Sequence, residues 1–126
     1  MTAGAKKSVS DEVARLEALL AKEPASVEFH KLADSYTRLG RFADAIRVCK
    51  QGLKHHPGLA AGHVALGRAF FGAANLPKAI QALRRALELP ACGGEAFRLL
   101  GEVLLWHEAP SEAVSVLEEA VSKGHS

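Results

Sequence analysis

Residues 60–93 read AAGHVALGRAFFGAANLPKAIQALRRALELPACG, and this stretch decides the fold because the residues on either side repeat its pattern. Shifting the chain against itself by about 34 residues brings Leu32, Leu66 and Leu100 into one column. Small residues follow at Ala33, Gly67 and Gly101, then large apolar ones at Tyr36, Phe70 and Leu104. Ala45, Ala79 and Ala113 form the next column, followed by Cys49, Leu83 and Leu117, and by Gly52, Ala86 and Ala120. Phe29 and Phe97 also match, with His63 standing between them.

Each unit reads as two antiparallel helices. Phe29, Leu32, Ala33 and Tyr36 recur at i, i+3, i+4 and i+7, which is one stripe of a helix. Gly40 ends it, because glycine readily takes the left-handed conformation that closes a helix. A second helix runs from about Phe42 through Ala45, Ile46, Cys49 and Leu53 and stops at His56-Pro57-Gly58, since proline lacks the amide and clashes with the preceding turn. The middle unit breaks near Gly72–Asn75, starts its second helix at Pro77 and ends at Pro90. The last unit puts Pro110 at a helix start, where the missing N–H costs nothing. A glycine inside a helix costs about 0.5–1 kcal/mol relative to alanine, so Gly67 and Gly101 predict a helix contact too close for a methyl group.

The repeats are preceded by one more apolar stripe, Val13, Leu16, Leu19 and Leu20, closed by Pro24. Ser10 is the expected N-cap, with Asp11 and Glu12 favoured at the positive end of the helix dipole. The predicted organisation is a disordered tail over 1–8, a helix over 9–23 and units at about 26–59, 60–93 and 94–123, seven helices in all. The final helix is apolar beyond what one face requires, with Val114, Val116, Leu117 and Val121. Solenoids normally end in a polar cap. That edge therefore suggests a chain that continues, a contact with another chain such as a weak homodimer through this helix, or a tolerated apolar end.

Composition narrows the function classes. Sixteen Lys and Arg against fourteen Asp and Glu leave a net charge of +2, which gives no reason to expect nucleic-acid binding. Charges interrupt every stretch long enough to span a membrane, and Met1–Ser10 has no apolar core behind Lys6 and Lys7 to make a signal peptide. A cytoplasmic location is expected, with Cys49 and Cys92 as free thiols. Neither cysteine has a partner at zinc-binding spacing, and the six histidines form no H-x-x-x-H pair. No metal, cofactor or catalytic residue is predicted, and the chain does not read as an enzyme.

The columns resemble the tetratricopeptide-repeat family over roughly Ser26 to Lys123, with His63 in place of the usual large apolar residue. The resemblance implies an all-α, right-handed α-solenoid of three helix pairs preceded by one N-terminal helix, and a concave groove lined by the first helix of each pair. By the same resemblance, the groove residues are His30, Asp34 and Arg38 from the first unit and Val64, Arg68 and Phe71 from the second. The third contributes Arg98, Leu99, Glu102, Leu105 and Trp106. Val27, Lys31, Thr37, Ala61, Ala65, Gly72 and Glu95 share those faces. The clamp that holds chaperone C-terminal carboxylates needs Lys and Asn on the first unit, Asn on the second, and Lys and Arg on the third; those positions are held here by His30, Asp34, Ala65, Glu95 and Leu99, so that ligand class is rejected. What remains is a protein-interaction module, a scaffold or adaptor that binds a segment of another protein. A chaperone for a secreted protein and a self-assembling oligomer are the alternatives. The alanine- and arginine-rich composition suggests a bacterial source.

Overall fold

The computed structural model describes residues 2–90, 93–107 and 110–122, excepting the side chains of 2–7, 110, 111, 113 and 120. Among the described residues the chain forms seven helices and no strand: α1 (Thr2–Lys22), α2 (Phe29–Arg38), α3 (Phe42–His55), α4 (Ala60–Gly72), α5 (Leu76–Leu87), α6 (Gly94–Trp106) and α7 (Pro110–Ser122). Each helix packs on the next along the chain, and the first helices of successive pairs also meet. α2 packs broadly on α4, whereas α4 and α6 touch only briefly. The result is a right-handed α-solenoid of three helix pairs with α1 laid against α2.

The N-terminus departs from expectation. Helix α1 begins at Thr2, so the tail predicted over 1–8 is helical from its second residue, and Ser10 lies inside the helix instead of capping it. The physical reason is that nothing between Thr2 and Ser10 stops a helix. There is no proline, and Ala3, Ala5, Lys6 and Lys7 are good helix formers. At its other end Glu23 still donates its N–H to the Leu19 carbonyl before Pro24 ends the run.

The first unit closes α2 through Gly40, which adopts φ 77°. One repeat later the same turn is made by Ala74 at φ 63°, a conformation that an L-residue with a Cβ enters at a cost. Asn75 then caps α5, its side chain accepting from the Lys78 N–H, with Pro77 inside the first turn.

Two apolar cores run along the stack. The first joins Val13 and Leu16 of α1 to Phe29, Leu32, Tyr36, Val48 and Cys49, and reaches Ala65 and Ala69 of α4. The second holds Phe70, Leu83, Phe97, Leu100, Val103, Leu104 and Val116. Ile46 and Leu66 pack against both. The repeat columns explain the close contacts. A Cβ at Gly67 would lie 2.7 Å from Leu83 Cγ and 3.4 Å from the Ala79 carbonyl oxygen, and one at Gly101 3.1 Å from Leu117. His63 replaces an aromatic by donating through Nε2 to the Pro57 carbonyl at 2.9 Å, which ties α4 to the turn before it.

The last helix is less enclosed than its column suggests. Val116 is buried, but Leu117 is 41% exposed beside Val114 and Val121 at 53% and 67%. No later helix covers them among the described residues. The predicted Ala113 and Ala120 columns lie outside the described side chains.

Candidate functional site

The inner faces of α2, α4 and α6 are bridged by one side chain. Arg68, in the middle of α4, donates through one terminal nitrogen to Asp34 of α2 at 2.6 Å and through the other to Glu95 of α6. Asp34 and Arg68 occupy the same column of successive units, so the solenoid stacks them directly across neighbouring helices. Both side chains are under a third exposed, at 27% and 29%. Burial alone would weaken the charge on Arg68, but the two carboxylates outweigh it and hold the guanidinium above its ordinary pKa. Glu95 also approaches Arg98 at 4.0 Å. The result is a chain of charges running across the groove from α2 to α6.

This chain separates two depressions. On one side lies a cavity of about 290 Å³ whose walls are His30, Ala61, Val64, Gly93 and Ala96, with Asp34, Arg68 and Glu95 at its border. Small residues leave room there for a side chain from outside. On the other side a space of about 430 Å³ is bounded by Thr37 and Arg38 together with the same three charged residues. Thr37 turns its hydroxyl back to the Ala33 carbonyl at 2.9 Å. Arg38 is exposed and points a cation at that space.

Of the residues predicted for the groove, the structure brings together His30, Asp34, Arg38, Val64 and Arg68. Phe71 and Leu99 are half-buried and pack on the second core. Arg98 and Glu102 are exposed on α6. Leu105 and Trp106 stand out at 56% and 68% exposed at the end of that helix, so Trp106 is not a core residue. Gly93 and Ala96 were not among the predicted groove residues. Their signal is that the Arg68 column needs an acidic neighbour, and Glu95 sits beside them at the start of α6.

A second concavity of about 500 Å³ lies between α1 and α3, over α2. Its α3 wall carries Arg47, Gln51, Lys54 and His55; its α1 wall carries Glu17, Leu20 and Ala21. The Tyr36 hydroxyl donates to Glu17 at 2.6 Å beneath it, and Arg41 lies 4.4 Å over the Tyr36 ring.

Three stacked helix pairs with this column pattern match a tetratricopeptide-repeat family model over residues 30–96 and 64–125. The chain belongs to the tetratricopeptide-repeat family. Such repeats are protein-interaction scaffolds, generally without enzymatic activity. The crystal structure of MamA is similar at 27% identity, covering 94% of this chain and 70% of that one with a TM-score of 0.80. TTC0263, a thermophilic tetratricopeptide-repeat protein of Thermus thermophilus, superposes with a TM-score of 0.85 at 22% identity, covering 94% of this chain and 66% of that one. MamA from residue 41 onward of Desulfovibrio magneticus does so with 0.81 at 17%, covering 92% and 66%. These last two establish the shared fold. The chain spans about two thirds of the length of these structures. No curated protein matches it in sequence.

The remaining candidate chemistry is sparse. The Cys49 thiol is buried, and burial, then the nearby Asp34 carboxylate, pushes its pKa up to about 12, so it is a core residue and not a nucleophile. Cys92 lies outside the described residues. His56 stacks on Phe29 and hydrogen-bonds the Ala25 carbonyl. Among the described residues no group of three or more His, Cys, Asp or Glu is placed to hold a metal. No helix there is long and apolar enough to cross a membrane.

Proposed function

We propose that this chain holds a segment of another protein in the groove of α2, α4 and α6, as a scaffold or adaptor in the cytoplasm of a bacterium. The observation that carries the reading is the pair of depressions flanking the Asp34–Arg68–Glu95 chain. A small-residue hollow beside fixed charges selects a side chain by size and orients its backbone by hydrogen bonds, which is what a segment-binding site requires. Because Arg68 is already satisfied by two carboxylates, it frames the site, and Arg38, exposed beside the second depression, is a cation placed to meet an acidic group. Leu105 and Trp106 offer an apolar end, and exposed aromatics of this kind commonly carry binding energy.

The test starts with proteins retained on the immobilised chain and identified by mass spectrometry. Val64→Glu puts a carboxylate into the small hollow next to Asp34 and Glu95. It is expected to weaken the retained partner by about tenfold or more while the helical circular dichroism stays that of the parent. Trp106→Ala tests the apolar end in the same way. Unchanged affinity in both variants moves the binding surface off the groove.

A further inference from the structure

Among the described residues, two surfaces outside the groove have no helix packed over them. The first is the outer face of α7, where Val114, Leu117 and Val121 form an exposed apolar stripe with Glu118 beside it. The second is the cleft between α1 and α3, where Leu20 and Ala21 face a wall bearing Arg47, Lys54 and His55. Arg47 is shared with Asp44 at 3.5 Å, while Lys54 and Glu118 have no ion-pair partner among the described residues. Glu17, the one acidic group lining the cleft, is on the α1 wall and is engaged by the Tyr36 hydroxyl.

We propose that copies of this chain associate head to tail, the α7 stripe of one seating in the α1/α3 cleft of the next. The lengths agree: at 1.5 Å per residue, Val114 to Val121 spans about 10 Å and the wall from Arg47 to His55 about 12 Å. The charges agree as well, because seating the stripe brings Glu118 to Lys54 and Arg47. An isologous pairing of two α7 helices, the simplest use of this face, instead brings two Glu118 carboxylates into one small contact, and like charges there count against it. A heterologous contact between different surfaces does not pair off as a twofold dimer does, and where its rotation closes no ring it produces an open series of oligomers. The inference is independent of what the groove binds.

Sedimentation velocity of the full chain, from micromolar to millimolar concentration, tests it. The parent is expected to grow continuously with concentration. Lys54→Glu, which blocks the cleft, and Glu118→Lys, which blocks the stripe, are each expected to weaken association by about tenfold or more, since like charges then meet. Mixed in equal amounts they are expected to regrow the open series, because every junction then pairs opposite charges, alternately in the native and in the reversed sense. The two changes in one chain do the same. Both positions are exposed, so parent-like helical content is expected throughout. A parent that stays monomeric overturns the proposal. So does a Lys54→Glu variant that associates like the parent, which would leave α7 pairing with itself.

Discussion

Tyr36 sits at the junction of α1 and α2 with its ring buried and its hydroxyl on Glu17. Burial, then the hydrogen bond to Glu17, raises its pKa from 10.0 to about 12. Cys49, one turn into the same core, is raised from 9.0 to about 12 by burial and then by Asp34. Both are groups whose folded pKa exceeds the unfolded one, so the unfolded chain gives up these protons first as the pH rises. Their contribution is fully present below about pH 9 and is lost progressively up to about pH 12. For Tyr36 alone, two pKa units correspond to at most about 2–3 kcal/mol, and to less where water reaches the hydroxyl beside Glu17. Thermal melts between pH 8 and 12 are expected to show this alkaline loss in the parent. Tyr36→Phe has no proton to lose there, so its melting temperature is expected to fall less steeply over the same range. An identical slope in the two proteins would show that the hydroxyl is not held neutral by its surroundings.

At the scale of elements, the close approach of α4 and α5 rests on Gly67 and Ala79. A methyl group at Gly67 already meets Leu83 at 2.7 Å, so Gly67→Val must push the pair apart. Overpacking of this kind costs about 1–3 kcal/mol, and the same range applies to Ala79→Leu, whose site is fully buried. Either variant melting like the parent contradicts the helix register. That register was legible in the sequence because the leucine, small-residue and large-apolar columns of Leu66, Gly67 and Phe70 recur in three units and local spacing alone fixes the buried stripe. The start of α1 was not legible: Thr2–Ser10 carries no stop signal, and a cap residue such as Ser10 does not act as one when the helix continues past it. The charge chain in the groove was half legible. Asp34 and Arg68 share a column, so opposite charges one repeat apart announce a pair. Glu95, however, comes from the first turn of α6 and not from Glu102 in the same column, and only the spacing of α4 and α6 decides that. Leu117 kept its column contact with Gly101 yet stayed partly exposed, because enclosing it takes a following helix and not only its own partner.

Across the whole molecule, the two cores communicate through Ile46 and Leu66. Leu66→Ala removes one of the two side chains common to both, at a cost of about 2–5 kcal/mol for a leucine cut to alanine, toward the lower end because Leu66 is only partly buried. The expected signature in urea is a broadened or split transition read by circular dichroism, since nearest-neighbour coupling is what makes a repeat array unfold as one. A single transition as steep as the parent's would show that the backbone contacts of α3 with α4 suffice for cooperativity. The brief contact between α4 and α6 bears on shape as well. The first two units are joined by both α2 and α3 packing on α4, while the third is carried mainly by α5 and tethered on the inside by Arg68 and Glu95. The molecule is thus a spring of uneven stiffness, firm in its first two coils and compliant in its last. A ligand held from α2 to α6, as proposed for the groove, would set the curvature of that last coil, and with it the angle at which α7 is offered to whatever meets it.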